Sequence, residues 1–529
     1  MGNAFPEPVS IFNDVIGPVM TGPSSSHTAG PARIGRAVHG LAGGVSRAVI
    51  HFKKDGAYPG TYRGQGTDKG FIGGLLGFGP EHELLGASLQ EAGRRGLEFA
   101  FEIEDNPHPH PNTARIVVTD ARGSEREFLT ESTGGGMFRI FAMDGFPVSV
   151  TGEYWELFIQ SPRSEVLEDV AETALALGCR VERRDGSSGS LLQITGQAPF
   201  APDLLHVAET LRKDEGCRIS RLDPLLPVPG RFCYDMPFFT AGEALKSCKG
   251  AAVSAAELAF AYEKARSGDS HAAILSRMTD VVRVMRQAAA TGMEKELPVT
   301  GFLKPKAAQM ARAVSEVRLA DLGIMNRGMV IATAIMEYNS SGGIVVAAPT
   351  AGSCGILPAV VLSLAGSMGL SPDALAEAEA EAMLVAGLVG VFIAHQATFA
   401  AEVCACQAEV GAASAMAAAA AVQLLGGTAE QAFAAAGLAL QNLLGLICDP
   451  VAGLVEIPCV NRNTMGAANA VASANMVMAG FDPVIPLDEV IGTMLRVGKM
   501  LPGEFRCTNL GGLCTTPTAI GIRESLDLR

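Results

Sequence analysis

The sequence predicts an α+β N-terminal part that contains a small βαββαβ module, followed by an all-α domain. Three observations predict this class. Apolar and polar residues alternate up to residue 148, strands and helices follow a regular order over 149–228, and apolar residues recur at helical spacing over 229–529. A chain of 529 residues is also too long for one ordinary hydrophobic core. We therefore predict three domains, at residues 1–148, 149–228 and 229–529.

Four segments of the first part have the pattern of half-buried strands. Apolar and polar side chains alternate in each of them, as they do in a strand that has one face on a core. The segments are SRAVIHFKKDG, EFAFEIEDN, TARIVVTDARG and EREFLTEST. They predict a sheet with one buried face.

The middle part predicts a unit of four strands and two helices. It begins with a strand and an amphipathic helix, continues with a hairpin around a Gly/Ser turn, and ends with a second helix and a closing strand. The segments are GEYWELFIQ, SEVLEDVAETALALG, CRVERRDGSSGSLLQITG, DLLHVAETLRKDEG and CRISRLD. This order is ferredoxin-like, and the Pro-rich linker DPLLPVPGR ends the unit.

Helices dominate the prediction for the last part. Its most apolar run, residues 382–394, is about 13 residues long, which is short for a membrane span. Alanine is a strong helix former, so the Ala-rich stretch 412–421 predicts a buried helix. The segment GGIVVAAPTAGSCGILP is broken by Gly and Pro and predicts a buried loop. The N-terminal residues lack the pattern of a signal peptide, and we expect a cytoplasmic protein with no membrane partner.

The charge balance restricts the possible partners. Asp and Glu number 55 against 41 Lys and Arg, which gives a formal net charge of -14. The sequence has no basic stripe, so nucleic acid is not an expected partner. A small anionic substrate would need a local positive site against this acidic background.

The 11 cysteines are unevenly distributed. Their odd number and the length of the chain argue against a disulfide framework. Seven of them follow residue 350, which hints at a metal or redox site; they are Cys354, Cys404, Cys406, Cys448, Cys459, Cys507 and Cys514. Thiolates suit iron–sulfur clusters or zinc. Zinc normally uses pairs separated by about two to four residues, and the one close pair here, Cys404 and Cys406, is too close to be a usual chelating pair. Because a single cysteine is usually a small core residue, spacing alone leaves cluster binding and core packing both open.

Several long motifs give the chain a family resemblance. They are TGPSSSHTAGPARIG, GTDKG, HPNTA, STGGG, APTAGSCGILP, CQAEVG, CDPVAGLVEIPCVNRN and FRCTNLGGL. With these motifs in this order, the sequence resembles the iron–sulfur-dependent L-serine dehydratases over nearly its whole length. The resemblance implies a [4Fe–4S] cluster held by Cys406, Cys448 and Cys459 in the third domain, which would then be the catalytic one.

Three thiolates for four irons leave one iron open. The resemblance implies that this iron acts as a Lewis acid on the substrate hydroxyl, and that oxygen attacks it easily. Many family members carry a cysteine at the position of Cys354 without using it as a ligand. In some relatives a C-terminal cysteine caps the open iron, whereas this sequence finishes in SLDLR. Cys507 or Cys514 could take its place, although core packing is the favoured interpretation of both.

The resemblance also implies a substrate site built from several loops. The hydroxyl groups of SSSHT precede a predicted helix at Gly30, whose N-terminus could bind a carboxylate; an N-cap cluster with a structural histidine is the alternative. The glycines of STGGG offer backbone N–H groups at close range. The predicted substrate-binding residues are Ser24, Ser25, Ser26, Thr28, Gln65, Thr67, Asp68, Ser132, Gly134, Gly135, Gly136, Asn339 and Thr350.

Three residues are predicted to be catalytic. His27, in SSSHT, and His110, in HPNTA, are the candidate bases. Prolines flank His110 and force an extended loop, in which a histidine without a role is the alternative. Lys304, in FLKPK, could hold the substrate carboxylate, although a solvated surface lysine fits the sequence as well.

One residue departs from the family pattern. The family usually has a histidine where this sequence has Gln65, two residues before Thr67 and Asp68. An amide does not titrate in the useful range and cannot act as a general base. Either His27 or His110 then carries out the proton transfer alone, or the substrate differs from serine.

The resemblance implies the elimination of water from a β-hydroxy amino acid. A base removes the α-proton, and the resulting enamine hydrolyses to a 2-oxo acid and ammonia; L-serine would give pyruvate. Residues 149–228 resemble an ACT domain in element order, and we expect the protein to be a homodimer. The alternatives are threonine or 3-hydroxyaspartate as substrate, a catalytically silent iron–sulfur sensor, or zinc in place of the cluster.

Overall fold

The computed structural model describes residues 8–120, 123–213, 216–248, 253–294 and 297–526. The strands of its two larger sheets lie between residues 45 and 222, and the part that follows is mainly helical. This mixed arrangement confirms the predicted α+β part followed by a helical part. The domain boundaries remain predictions.

The first part is built on a six-stranded sheet. Its elements are β1 Val19–Thr21, α1 Gly30–Ala42, β2 Val45–Lys53, α2 Tyr58–Thr61, α3 Thr67–Leu75, α4 Ser88–Arg95, β3 Glu98–Glu104, β4 Thr113–Asp120, β5 Glu125–Gly134, β6 Met137–Met143 and β7 Phe146–Val150. The sheet has the order β3-β2-β4-β5-β6-β7, with only β2 and β3 parallel. Ile34, Val38 and Leu41 of α1 share a core with alternate residues of the sheet, as the strand pattern predicted.

The hairpin of β6 and β7 was not predicted from the sequence. Asp144 and Gly145 connect its two strands with φ angles of 50° and 83°. An Asp-Gly pair with both residues at positive φ is typical of a tight hairpin turn. This dipeptide, between MFRIFAM and FPVSV, was therefore the signal that could have located both strands.

The second sheet has four antiparallel strands. The unit consists of β8 Trp155–Ser161, α5 Glu168–Ala176, β9 Arg180–Gly186, β10 Gly189–Gly196, α6 Pro202–Thr210 and β11 Arg218–Leu222. Its strand order is β11-β8-β10-β9, and residues of both helices share a core with its strands. The elements follow the predicted βαββαβ sequence. The likeness to an ACT domain remains a prediction.

Helices make up most of the remaining chain. They are α7 Ala241–Ser247, α8 Ala255–Ser267, α9 His271–Glu294, α10 Ala307–Ser315, α11 Ile324–Ser340, α12 Ile356–Ala365, α13 Pro372–Gln396, α14 Ala401–Cys404, α15 Val410–Leu424, α16 Ala429–Gln441, α17 Cys459–Met478, α18 Leu487–Met500 and α19 Pro517–Ser525. A single short strand, β12 Ile344–Val346, interrupts them. Helix α15 is almost completely buried, because its alanines let α12, α13, α16 and α17 approach closely.

Helix α13 is apolar enough to be compared with a membrane span. Among the described residues it is the one single helix whose length and composition would allow it to cross a bilayer, and 78% of its most apolar window is buried inside the protein. Residues 401–407 and α15 pass the same test only as a pair, with a bend of 53°. The burial of α13 is what a core helix of a folded domain requires.

A two-stranded ribbon joins the two parts of the chain. Strand β1 pairs antiparallel with β12, so that Val19 lies opposite Val346 and Thr21 opposite Ile344. The prediction of a loop at 342–358 was therefore wrong for β12, because the pairing partner lies more than 300 residues away in sequence. The ribbon places the residues after β1, which include the predicted site residues Ser24, Ser25, Ser26 and Thr28, beside Thr350, which follows β12.

Candidate active site

The SSSHT turn, residues 24–28, follows β1 directly. Ser25–Ala29 form one π-helical turn that continues into α1. The Ser24 hydroxyl accepts a hydrogen bond from the His27 backbone N–H at 3.2 Å, so Ser24 is an N-cap. The Thr28 hydroxyl donates to the Gln65 carbonyl at 2.7 Å and joins the turn to the GTDKG loop.

His27 and Glu402 form a buried pair. The His27 Nδ1 lies 3.3 Å from Glu402 Oε1, and the Ser26 hydroxyl donates to the same oxygen at 2.9 Å. His27 has 0% exposure, and its Nε2 has no hydrogen-bond partner among the described residues. Sequence reasoning missed Glu402, which lies four residues before Cys406 in AEVCACQ; no spacing rule links it to His27.

Burial and mutual charge set the protonation of this pair. Burial lowers the pKa of His27, and the Glu402 carboxylate opposes that shift without reversing it. Burial would raise the pKa of Glu402, but His27 and the hydrogen bonds to the carboxylate, that of Ser26 among them, together outweigh it, and the pKa lies below its ordinary value. Glu402 is therefore ionised and His27 neutral at neutral pH. A neutral imidazole whose Nδ1 faces a carboxylate leaves Nε2 free to accept a proton.

Residues on both sides of β12 form the opposite wall. The Asn339 amide donates to the carbonyls of Pro23, at 3.0 Å, and Ala351, at 3.2 Å. The Ala351 N–H donates to the Ser25 hydroxyl at 3.4 Å, which ties this loop to the SSSHT turn. The other Asn339 side-chain atom, Oδ1, is buried and has no hydrogen-bond partner among the described residues. Substrate binding by Asn339 remains a prediction.

Glycines bring the end of β5 against the helical part. Gly134 has a φ of 106°, and a Cβ placed on it would lie 3.1 Å from the Ala400 backbone nitrogen, just before α14. Gly135 and Gly136 also have positive φ, and the Gly136 carbonyl accepts from Arg33 at 2.8 Å. The run therefore permits close packing beside Glu402. Substrate binding by these three glycines remains a prediction.

Several other predicted residues surround the pair. The Ser132 hydroxyl donates to the Ser26 carbonyl at 2.9 Å. His110 is half-buried, and its Nδ1 accepts from the Asn112 N–H at 3.2 Å. Burial lowers the pKa of His110, and the carboxylates of Glu131 and Glu402 oppose this shift. His110 is therefore close enough for the charge of Glu402 to act on it.

Three predicted residues have different surroundings. Thr67 is fully buried at the start of α3, and its hydroxyl has no hydrogen-bond partner among the described residues. Asp68 follows it, and burial raises the pKa of its carboxyl group. The Lys304 side chain is exposed. Its proposed contact with the substrate carboxylate remains a prediction.

A cavity of about 360 Å³ lies beside the SSSHT turn. Thr28 and Gly66 form part of its lining, together with the basic residues Arg63 and Lys69. These two cations and the carboxylate of Glu456 are the charged side chains of the lining, in a chain of net charge -14.

The predicted ligands Cys406 and Cys448 converge near Glu409. One side-chain ligand atom from each lies within 4.8 Å of the other two, and the three could hold a metal ion. The Cys448 thiol makes hydrogen bonds with the thiols of Cys406 and Cys507, which raise its pKa together with burial. The third predicted ligand, Cys459, begins α17. Burial is the largest cause of the raised pKa of Cys459, and Cys406 and Cys507 add to the shift.

Arg462 provides positive charge at these thiols. Its Nη1 lies 3.8 Å from Cys406 Sγ, and its Nη2 lies 2.9 Å from a carboxylate oxygen of Asp449. One turn of α17 separates Arg462 from Cys459, so the same helix carries a predicted ligand and a positive charge. Sequence reasoning did not assign Arg462, although it lies within the matching motif CVNRN.

Two further side chains connect the thiols to the remaining loops. The Asn463 amide donates to the carbonyls of Gly352, at 2.8 Å, and Cys459, at 2.9 Å. The Thr350 hydroxyl donates to Glu409 at 2.7 Å. Burial raises the pKa of Glu409 to about 7, and the hydrogen bond from Thr350 opposes this shift. Neither Asn463 nor Glu409 was assigned from the sequence.

The remaining late cysteines lie in other surroundings. Cys354 is buried, and its thiol contacts the Met336 sulfur at 3.7 Å. A Cβ on Gly498 of α18 would lie 2.5 Å from Cys404 Sγ, which shows how tightly Cys404 is packed against that helix. The Cys514 thiol donates to the Gly511 carbonyl at 2.8 Å. These contacts favour core packing for all three cysteines.

The fold and the site together define a protein with a buried group of cysteine thiols, which could bind a metal, beside a histidine–carboxylate pair. Residues 249–514 match the family model described as serine dehydratase alpha chain. The chain therefore belongs to the serine dehydratase alpha chain family. The sheets described above lie almost entirely outside the matched region.

Three named relatives illustrate the similarity. A probable L-serine dehydratase alpha chain of Latilactobacillus sakei is 47% identical over 203 residues, covering 38% of this chain and 95% of the relative. An L-serine dehydratase alpha chain of Peptoniphilus asaccharolyticus is 36% identical over 290 residues, covering 54% and 97%. The L-serine dehydratase TdcG of Escherichia coli K12 is 37% identical over 286 residues, covering 53% and 62%.

Proposed function

We propose that the protein is an L-serine ammonia-lyase that converts L-serine to pyruvate and ammonia. The named relatives act on L-serine according to their names, and the family match supports the same reaction class. One observation of the structure carries the proposal. The segment 401–407 holds both Glu402, which faces His27, and the thiol of Cys406, so a base and a metal-binding group belong to one site.

We further propose that Cys406, Cys448 and Cys459 hold a [4Fe–4S] cluster. Soft thiolates are the usual ligands of such clusters, and Arg462 offsets their negative charge. Cys459 lies outside the 4.8 Å group of Cys406, Glu409 and Cys448 among the described residues. Analysis of iron, sulfide and zinc in the purified protein distinguishes a cluster from a single zinc ion. When bound, the cluster supplies a Lewis-acidic iron that makes the substrate hydroxyl a better leaving group.

The substrate reaches the site through the cavity beside the SSSHT turn in this proposal. Arg63 and Lys69 attract the carboxylate, and the buried polar atoms of Asn339 and Thr67 provide hydrogen-bonding partners. A buried polar atom without a partner costs free energy, so a substrate that satisfies it binds more tightly. These contacts orient the Cα–H bond towards the base.

His27 is the general base. Its neutral Nε2 accepts the α-proton, and Glu402 stabilises the resulting imidazolium through Nδ1. Ser26 donates to Glu402 and holds the carboxylate in place. The hydroxyl group then leaves and takes up a proton as water. The remaining 2-aminoacrylate tautomerises to an imine, which hydrolyses to pyruvate and ammonia.

Anaerobic purification followed by a substrate panel tests this function. We expect iron and sulfide in a ratio of about one to one, as in a [4Fe–4S] cluster, and 2-oxo acid formation that is fastest with L-serine. Threonine and 3-hydroxyaspartate serve as the competing substrates. A protein with a full cluster that forms no 2-oxo acid from L-serine would disprove the assignment. Zinc without sulfide would disprove the cluster.

We also propose an ACT-like identity for the four-stranded unit and a cytoplasmic homodimer. The order β11-β8-β10-β9 with two helices supports the first proposal. Size-exclusion chromatography with light scattering tests the second one, and a monomeric mass would overturn it.

A further inference from the structure

A fourth thiol belongs to the same group as the three proposed ligands. The Cys507 side chain hydrogen-bonds with the Cys448 thiol, and its charge also acts on Cys459. Cys507 is 6% exposed, so it lies within the buried site. The described residues thus contain four converging cysteines, Cys406, Cys448, Cys459 and Cys507, where the family resemblance implies three.

The backbone holds Cys507 firmly in this position. The Cys448 N–H donates to the Phe505 carbonyl at 2.9 Å, and the Cys507 N–H donates back to the Cys448 carbonyl at 3.4 Å. Farther along, the Leu513 N–H donates to Asp449 at 2.8 Å. The segment 505–513 is therefore attached at both ends to the CDP motif that carries a ligand.

The conformation of Cys507 is unusual for its residue type. Its φ is 61°, in the left-handed region that residues with a side chain seldom adopt. Such a conformation persists only where the surroundings enforce it, and it is concentrated at functional sites. Here it turns the chain at the point where Cys507 meets Cys448.

Gln65 lies against the same sulfur. Its amide Nε2 is 3.9 Å from Cys507 Sγ, and the side chain is buried. An amide N–H can donate to a thiolate at any pH, whereas the donors of an imidazole depend on its tautomer and charge. The departure from the family histidine at this position is thus explained if Gln65 supports a sulfur ligand instead of moving protons.

We propose that Cys507 is a fourth thiolate ligand of the cluster in the resting protein, with Gln65 as its hydrogen-bond donor. Cys507 fills the coordination position that three ligands leave open, and it must give way when the substrate hydroxyl binds. The exchange replaces one iron ligand by another and changes no oxidation state. This inference rests on the proposed cluster. A Cys507 thiolate on this iron protects it against oxygen, and the substrate hydroxyl must displace that thiolate before the reaction.

The test compares two cysteine variants of the native anaerobic protein. Cys507→Ser removes the proposed ligand, and Cys514→Ser is the matched control, because Cys514 is also 6% exposed and lies in the same C-terminal segment. Mössbauer spectra of protein loaded with iron-57 distinguish an iron without a cysteine ligand from the others. Electron paramagnetic resonance follows the loss of one iron in air.

We expect four similar iron sites in the wild type and in Cys514→Ser. In Cys507→Ser, about one quarter of the iron should give a distinct signal, and air should convert the cluster to its three-iron form about tenfold faster. Adding L-serine to the wild type should shift the same quarter of the iron.

Two results would overturn the inference. One is a distinct quarter of the iron in the resting wild type, and the other is equal decay in air for Cys507→Ser and the wild type. The wild-type spectrum decides the question even if the variant fails to fold. Absence of a cluster from every protein would instead refute the proposed cofactor, so the two failures are distinguishable.

Discussion

The group of four cysteine thiols (Cys406, Cys448, Cys459 and Cys507) and the histidine–carboxylate pair are assembled in different ways. All four thiols come from residues 406–507, within the helical part of the chain. The pair joins His27, from a turn after β1, to Glu402 of α14, and the two lie 375 positions apart in the sequence. A ligand set within one region can be recognised by its motifs, whereas a pair formed across two regions depends on how these regions pack.

The largest effect on activity is expected from the loss of one of the four cysteine thiols. Cys448→Ala removes a proposed ligand and should abolish cluster binding and activity together, because thiolate coordination would hold the iron. Iron and sulfide analysis of the anaerobic protein measures this. Cys354→Ala is the control, since the Cys354 thiol contacts the Met336 sulfur and is not part of the group of cysteines described above. Full iron and sulfide in Cys448→Ala would show that the ligand assignment is wrong.

The second prediction separates the two candidate bases. His27→Asn should lower kcat by about 10³-fold while iron and sulfide stay at the wild-type level, because proton transfer is lost and the cluster is not. His110→Asn should lower kcat by about tenfold at most, since His110 only neighbours the pair. Steady-state kinetics on L-serine measures both variants. The reverse order of effects would make His110 the base.

The next prediction tests the pairing of His27 with Glu402 through the pH dependence of kcat/KM. Burial lowers the pKa of His27 and Glu402 opposes it, so the acidic limb of kcat/KM should lie below pH 6.5, the ordinary histidine value. Glu402→Gln removes the opposing charge, and the limb should move to still lower pH. We also expect kcat to fall by about 10²-fold, because the imidazolium loses its partner. An unchanged limb would exclude Glu402 as the partner of His27.

Gly134 tests the packing between the two parts of the chain. A Cβ at this position would approach the Ala400 backbone, so Gly134→Ala should lower the free energy of unfolding by about 2 kcal/mol. Gly145→Ala is the control. Gly145 also has positive φ but has open space around it, and we expect about 1 kcal/mol there. Thermal unfolding should separate the two variants, and equal losses would contradict the close contact.

The smallest effect is expected for Lys304, which belongs neither to the group of cysteine thiols nor to the His27–Glu402 pair. Its side chain is exposed, so Lys304→Ala should change kcat/KM on L-serine by about twofold or less. Arg63→Ala, in the cavity lining, is the comparison and should raise KM by about tenfold. A larger effect at Lys304 than at Arg63 would restore the lysine as the carboxylate partner.

Local patterns predicted much of the fold. The alternation in β2, β3, β4 and β5 and the order of the βαββαβ unit were visible because each signal lies within a few neighbouring residues. The ribbon of β1 and β12 was not visible, since a three-residue strand carries almost no pattern of its own. The β6–β7 hairpin was missed although its Asp-Gly turn was present.

The sequence by itself determined the fold class and the motifs that carry the family resemblance, because those signals are encoded in residue types at short separations. It predicted Cys406, Cys448 and Cys459 as ligands only through that resemblance. Only the tertiary structure decided that Glu402 faces His27 and that Cys507 joins Cys448. Gln65 illustrates the difference. In the sequence it was a missing base, and in the fold its amide faces a sulfur. The physical reason is that a side chain's function depends on its neighbours, and chain folding selects those neighbours from distant positions.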